Sequence, residues 1–247
     1  MHNERNEGEW FANWFNSPFY HKLYANRDYK EADFFIGNLV SHLKLSEQAS
    51  IWDLACGKGR HSIKMNALGY NVVGTDLAEN SIAEACKFSN NTLDFFVHDM
   101  RTPFRINYFN AVFNLFTSIG YFDDETDNFK VFENVYHALK PDGVFVIDYL
   151  NAKKVSSCLV LNDVVKREDV EFKISKRIEN NRVIKRIEFE SEGKLNFFEE
   201  KVFLYQLDTF LKFAYKCGFK LVETFGDYSL QPFNETESDR LIMIFKK

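Results

Sequence analysis

Few residues of this 247-residue chain are of the types that build redox or metal centres: there are four cysteines and six histidines. Cys56, Cys86, Cys158 and Cys217 stand far apart with no Cys-x-x-Cys pair, which reads as reduced thiols in a cytoplasmic protein. The histidines are scattered, with no His-Glu-x-x-His and no carboxylate cluster beside them, so no dedicated metal site is expected. No apolar run approaches the roughly 18 residues of a membrane span. The first ten residues mix acids and bases without an apolar stretch, unlike a secretory signal. A net charge of −5 also lacks the basic excess by which nucleic-acid binders neutralise phosphates.

Apolar residues are plentiful, at 45% of the chain, enough for a sizeable core in one large or two small domains. There is no internal repeat and no low-complexity segment. The four prolines, Pro18, Pro103, Pro141 and Pro232, each suit an element boundary. Up to about Leu45 the chain reads as helical, with Trp10/Trp14, Phe11/Phe15 and Tyr20/Tyr24 recurring at the i, i+4 spacing of one face.

Strands and helices then alternate. Strands are expected at 49–55, 70–75, 93–97, 110–116 and 144–150, and helices at 60–68, 80–89 and 126–139, the last ended by the turn Pro141-Asp142-Gly143. Such alternation implies right-handed crossovers and a mostly parallel sheet covered on both faces. From about Val164 to Tyr205 apolar and charged residues alternate without a helical period, and Glu179-Asn180-Asn181-Arg182 marks a hairpin. Three or four antiparallel strands with one wet face are expected there. A helix at 207–217, stopped by Gly218, and strands at 219–225 and 241–245 complete the main sheet. The expected class is α/β: a Rossmann-like, mostly parallel seven-stranded sheet, an N-terminal helical lid (1–45) and an antiparallel β cap insertion after the fifth strand (152–205). The core domain comprises 46–151 and 206–247.

The segment Asp53-Leu54-Ala55-Cys56-Gly57-Lys58-Gly59-Arg60 joins the first strand to the next helix. Glycines there let the backbone approach a ligand at the carboxyl edge where open α/β sheets bind. Asp76 ends the second strand about 20 residues on, placed to accept from ribose hydroxyls. A dinucleotide fingerprint requires a third glycine where Ser62 stands, and Asp53 at the mouth of the site would repel a pyrophosphate but suit a cation.

Asp53-x-Ala-Cys-Gly-x-Gly followed by Gly74-Thr75-Asp76-Leu77 resembles motif I and the acidic loop of class I S-adenosylmethionine-dependent methyltransferases. The likeness continues through His98-Asp99-Met100-Arg101, Asn114-Leu115-Phe116-Thr117 and Leu139-Lys140-Pro141-Asp142-Gly143-Val144, covering roughly residues 45–151. The resemblance implies S-adenosylmethionine as cofactor. Ala55, Gly57 and Gly59 would line its methionine part, with Asp53 near the ammonium, and Arg60 or His61 would pair with the carboxylate. Asp76 would hold the ribose, Leu77 would pack on the adenine, and Asp99 and Met100 would meet the adenine amine. Asn114 and Phe116 would lie beneath the methyl group, and Tyr20 and Tyr24 would close over it from the lid. Cys56 departs from the commoner small residue of the motif.

Each assignment has a plainer alternative. Asp76 also suits a helix N-cap, Asp99 a solvated loop, Arg60 an exposed helix face, Tyr20 and Tyr24 simple packing, and Cys56 a small buried hydrophobe. The bases from Lys166 to Arg186 alternate with acids, as on a solvated sheet face. Methyl transfer from a sulfonium requires alignment and exclusion of water rather than a dedicated side chain. Candidates near the acceptor are Tyr121 in the loop after the fourth strand, and Tyr149 and Asn151 at the end of the fifth. The sequence has no Pro-Pro and no Pro-Cys pair, so it lacks the motifs of amino-methylating and cytosine-C5 DNA methyltransferases. The insertion resembles the cap of small-molecule N-methyltransferases of the glycine/sarcosine type, so a small amine is the expected acceptor, with no nucleic-acid or membrane partner. The rival readings are a non-catalytic S-adenosylmethionine-binding regulator, which would turn over no acceptor, and a nucleotide-dependent oxidoreductase, which would bind a nicotinamide nucleotide.

Overall fold

The inner strands of the central sheet are apolar runs buried on both faces, as strands between two helix layers must be, while the two edge strands are partly exposed. In this computed structural model, residues 10–25 and 29–247 are described, Tyr29 by its backbone alone. The expectations for residues 1–9 and 26–28 lie outside these limits.

Three helices lead in: α1 (Trp10–Phe15), α2 (Pro18–Leu23) and α3 (Tyr29–Leu43). Then come β1 (Ser50–Leu54), α4 (Arg60–Ala67), β2 (Asn71–Asp76), α5 (Glu79–Ala85), β3 (Leu93–Val97), β4 (Phe109–Asn114), α6 (Glu125–Ala138) and β5 (Leu139–Leu150). A short helix, α7 (Ala152–Ser157), precedes β6 (Asn162–Arg167), β7 (Val170–Glu179), β8 (Arg182–Ser191) and β9 (Lys194–Phe203). The chain ends with α8 (Leu207–Cys217), β10 (Lys220–Phe225) and β11 (Arg240–Lys246).

The seven-stranded sheet has the order β10-β11-β5-β4-β1-β2-β3. Its first five strands in sequence run parallel, and β11 lies antiparallel to β5. One face packs on α3, α4 and α5 through Phe35, Leu39, Met65 and Ile82; the other packs on α6 and α8 through Phe132, Val135, Phe210 and Phe213. The expected doubly covered α/β sheet is therefore observed.

Two local features differ from expectation. Strand β5 begins at Leu139 rather than Val144: Phe109 pairs with Leu139 and Ala111 with Val144, so the Pro141-Asp142-Gly143 turn becomes an irregularity inside the strand, with Asp142 at φ 62°. Helix α7 was not expected. Its six residues are nucleated by the Asn151 side chain, which accepts from the Lys153 and Lys154 backbone N–H groups.

Strands β6, β7, β8 and β9 form a separate antiparallel sheet in that order. Asn180 and Asn181, at φ 49° and 57°, make the hairpin turn between β7 and β8 that the sequence marks. On the inner face of this sheet Val183 and Val202 join the main core, but the rest of that face does not. Val170, Phe172, Ile174, Ile187 and Phe189 pack instead against Trp14 of α1 and Leu23 of α2, in a cluster apart from the two main cores. Phe172→Ala, at a position with no exposed surface, is expected to cost about 3–5 kcal/mol. Urea unfolding checks this; a loss below about 1 kcal/mol would contradict an inner face packed as core.

Candidate active site

A strand that ends beside a crossover leaves its terminal backbone groups and the first turn of the next helix facing the same space. Here the loops after β1, β2, β3 and β4 surround a cavity of about 450 Å³, roofed by α1 and α2. That volume lies in the range of small-ligand sites.

The loop after β1 holds three residues with positive φ: Ala55 at 63°, Gly57 at 57° and Gly59 at 78°. Its turn is pinned to the neighbouring strand, with the Cys56 N–H donating to Thr75 O at 2.9 Å. The Gly57 N–H donates to Asp76 Oδ2 at 2.8 Å, and the Ala78 N–H donates to Asp76 Oδ1 at the same distance. Asp76 thus ties the loops after β1 and β2 together. Burial raises its pKa while those backbone donors pull it down. A carboxylate has about four lone-pair sites, so acceptor capacity remains toward the cavity. At Gly57 a Cβ would meet nothing within 4 Å, so the glycine presents bare backbone to open space.

Of the residues singled out by sequence, Tyr24, Ala55, Gly57, Arg60, Asp76, Leu77, Asp99, Met100, Phe116 and Tyr121 line this one cavity, with Tyr20 and His61. The carboxylate of Asp99, however, is held by Arg101, whose backbone N–H and guanidinium both donate to it. Burial acts to raise the pKa of Asp99, but the Arg101 bonds outweigh it and hold the group below its ordinary value.

Five sequence candidates do not line the cavity. Asp53 is 1% exposed, behind the glycine loop rather than at its mouth, and accepts from Ser62 Oγ at 2.5 Å. The charge argument for a cationic ligand at Asp53 therefore loses its footing, and Ser62 stands where a dinucleotide fingerprint has glycine because it partners that buried acid. Gly59 is a packing glycine: a Cβ there would stand 2.6 Å from the Phe95 ring. The Asn114 amide donates to Leu54 O at 3.0 Å, between β4 and β1. Tyr149 is fully buried and its hydroxyl donates to Phe203 O, because side chains alternate along β5 and Tyr149 shares the face of Phe145 and Ile147, toward α8. The Asn151 side chain is spent on capping α7 and on the Glu235 and Ser238 carbonyls.

Other residues of the site were not singled out in the sequence as ligand contacts. The cavity is also lined by Phe11, Ala12 and Phe15 of α1, by His21 of α2, and by Thr117 and Ser118. Beneath Phe116 and Thr117 lies Asp148, fully buried and paired with Arg240 at 2.7 Å. Strand alternation puts Asp148, one residue before Tyr149, on the opposite face of β5. Behind Tyr24 stands Glu200 of β9, which accepts from the Tyr24 hydroxyl at 2.7 Å and from Trp14 Nε1 at 2.7 Å.

The strand order, the glycine loop after β1 and the acid ending β2 define a class I S-adenosylmethionine-dependent methyltransferase domain. Residues 51–143 match the family described as methyltransferase domain, and that domain belongs to it. The protein YqeM of Bacillus subtilis, named as a methyltransferase, is 34% identical over 116 residues, 45% of this chain and 47% of that one. A glycine/sarcosine N-methyltransferase of Parasynechococcus marenigrum is 31% identical over 127 residues, 49% of this chain and 43% of that one. The matched stretch thus spans about half the length of these curated relatives. Over nearly the whole chain the fold follows the crystal structure of an S-adenosylmethionine-dependent methyltransferase from Clostridium acetobutylicum: TM-score 0.77, 23% identity, covering 92% of this chain and 96% of that one. The bare Gly57 backbone and the acceptor capacity of Asp76 fit the nucleoside of S-adenosylmethionine.

Burial pushes the pKa of Asp53 from 3.8 up to about 6, against hydrogen bonds from Ser62 that lower it. Between those values the folded protein holds a proton that the unfolded chain releases. Stability carried by Asp53 is therefore lost as pH rises through this window, by about 3 kcal/mol, and the loss is complete above about pH 6. Asp53→Asn removes the dependence. Urea unfolding from pH 4 to 7 should show the stability difference, variant minus wild type, rising through the window and then levelling; a difference independent of pH would contradict the burial of an ionising Asp53.

Proposed function

We propose that the protein transfers the methyl group of S-adenosylmethionine to a small-molecule acceptor, with an amine the first choice. The observation that carries this reading is the division of one cavity into two unlike walls. One wall is backbone and carboxylate: Gly57, Asp76 and the loop after β2. The other is aromatic: Phe11, Phe15, Tyr20 and Tyr24 from the helices above, with Tyr121 and Phe122 from the loop after β4.

The first wall would hold the cofactor. Asp76 would accept from the ribose hydroxyls, and Leu77 and Met100 would flank the adenine. The bound sulfonium supplies an electrophilic methyl group with a neutral thioether as leaving group. The aromatic wall would receive the acceptor, exclude water and align the attacking atom. Among the described residues lining the cavity, the acids are Asp76 and Asp99, both on the cofactor side. An amine against the aromatic wall therefore meets low dielectric and no lining carboxylate, which favours its neutral, nucleophilic form. The name of the glycine/sarcosine relative supports an amine acceptor.

The four-stranded sheet and the two short helices would act as the cap. The Glu200 carboxylate, on β9, receives both Trp14 and Tyr24, so sheet and helices are joined behind the aromatic wall. The roof confines the acceptor to something small. No helix among the described residues is long and apolar enough to cross a membrane.

The test is incubation of the protein and methyl-labelled S-adenosylmethionine with a metabolite extract, followed by mass identification of labelled products. A labelled small amine is the expected result. Label only on macromolecules would overturn the acceptor class. Stabilisation by a nicotinamide nucleotide with none by S-adenosylmethionine would overturn the cofactor side.

A further inference from the structure

The cavity wall after β4 contains two consecutive non-glycine residues in the left-handed region, Phe116 at φ 65° and Thr117 at φ 62°. Such a pair persists where the surroundings over-determine it, and it marks a place where backbone shape serves a task.

Here the surroundings are a buried ionic cluster. The Phe116 N–H donates to Asp148 Oδ2 at 2.9 Å, and the Thr117 N–H donates to the Asp148 backbone oxygen at 2.9 Å. Arg240, the first residue of β11, donates through Nε to Asp148 Oδ1 at 2.7 Å and through Nη2 to Thr117 Oγ1 at 3.0 Å. The Tyr228 hydroxyl completes the set, donating to Asp148 Oδ2 at 3.2 Å, and its ring stacks on Phe35 of α3 at 4.2 Å. Asp148 has no exposed surface. A core of this kind needs no buried ion pair, and burying one carries a desolvation penalty that is often not recovered in stability. What the pair does obtain is direction: the fork of Arg240 fixes the carboxylate of β5 and the hydroxyl of Thr117 at once. On its upper side, the ring of Phe116 lies against the guanidinium of Arg60, 4.2 Å from its centre.

We infer that Asp148 and Arg240 are positioning residues. They hold the Phe116–Thr117 backbone in its left-handed shape so that the cavity wall is formed before ligand arrives, and so set the affinity for the cofactor. The inference rests on the reading of this cavity as the methyl-transfer site. Neither residue lines the cavity. Their effect passes through the loop.

The experiment is calorimetric titration with S-adenosylhomocysteine, on the full chain, well below the melting temperature of every variant. Asp148→Asn and Arg240→Lys are compared with Phe219→Leu, a core substitution between α8 and β10, remote from this cluster, which controls for general destabilisation. Lysine keeps the charge of Arg240 but lacks the fork that reaches both partners. Asp148→Asn is expected to weaken binding by about tenfold, as ligand must now re-form a strained loop, and Arg240→Lys to weaken it by several-fold, while Phe219→Leu leaves affinity unchanged. If Asp148→Asn does not fold, Arg240→Lys carries the test by the same criterion. Affinity for Arg240→Lys no weaker than for Phe219→Leu would overturn the inference. A wild-type protein that does not bind S-adenosylhomocysteine would overturn the cofactor reading, and this inference with it.

Discussion

The carboxylate of Asp76 is the joint on which the candidate site turns. It ends β2, is half-buried, and accepts from the Gly57 and Ala78 backbone N–H groups at 2.8 Å each. These two bonds set the loop after β1 against the loop after β2. The helix-cap alternative at the level of sequence is not what this carboxylate does, since the N-cap of α5 is Ala78; it braces the two loops and leaves acceptor capacity for a ligand. One bond on each oxygen serves the chain, and the remaining lone pairs face the cavity.

A second coupling gives the cavity its roof. Helices α1 and α2 are six residues each, too short to be stable in isolation. They are ordered by burying Trp14 and Leu23 against the four-stranded sheet, and by the bonds from Trp14 and Tyr24 to Glu200. Insertion and lid are therefore one packed unit, which is the physical basis for proposing that they serve one purpose.

Much of this was legible in the chain because local rules and the fold agree. The alternating apolar runs placed the seven strands, Gly218 ended α8, and Asn180-Asn181 marked the hairpin. Ten of the cofactor and acceptor candidates reach the cavity, since a motif that follows a strand lies at the same edge of the sheet. Legibility failed where the answer depended on the phase of a strand or on distant partners. Tyr149 and Asn151 were placed by their position along β5 without regard to which face they occupy. Asp148, on the cavity face, reads as an ordinary strand-end acid until Arg240 and Tyr228, 92 and 80 residues away, are brought beside it. Asp53 is conspicuous in the motif, yet its carboxylate faces Ser62 under the loop, a direction that spacing does not reveal. The contact of β9 with α1 spans 186 residues between Trp14 and Glu200, beyond any local pattern.

The central claim is that this cavity binds a ribonucleoside through Asp76. It is tested most directly on the unaltered protein, by comparing the binding of S-adenosylhomocysteine with that of its 2′-deoxyribose counterpart. Loss of one hydroxyl partner of this carboxylate should weaken binding by about 1–3 kcal/mol. Equal affinity for the two ligands would contradict the claim.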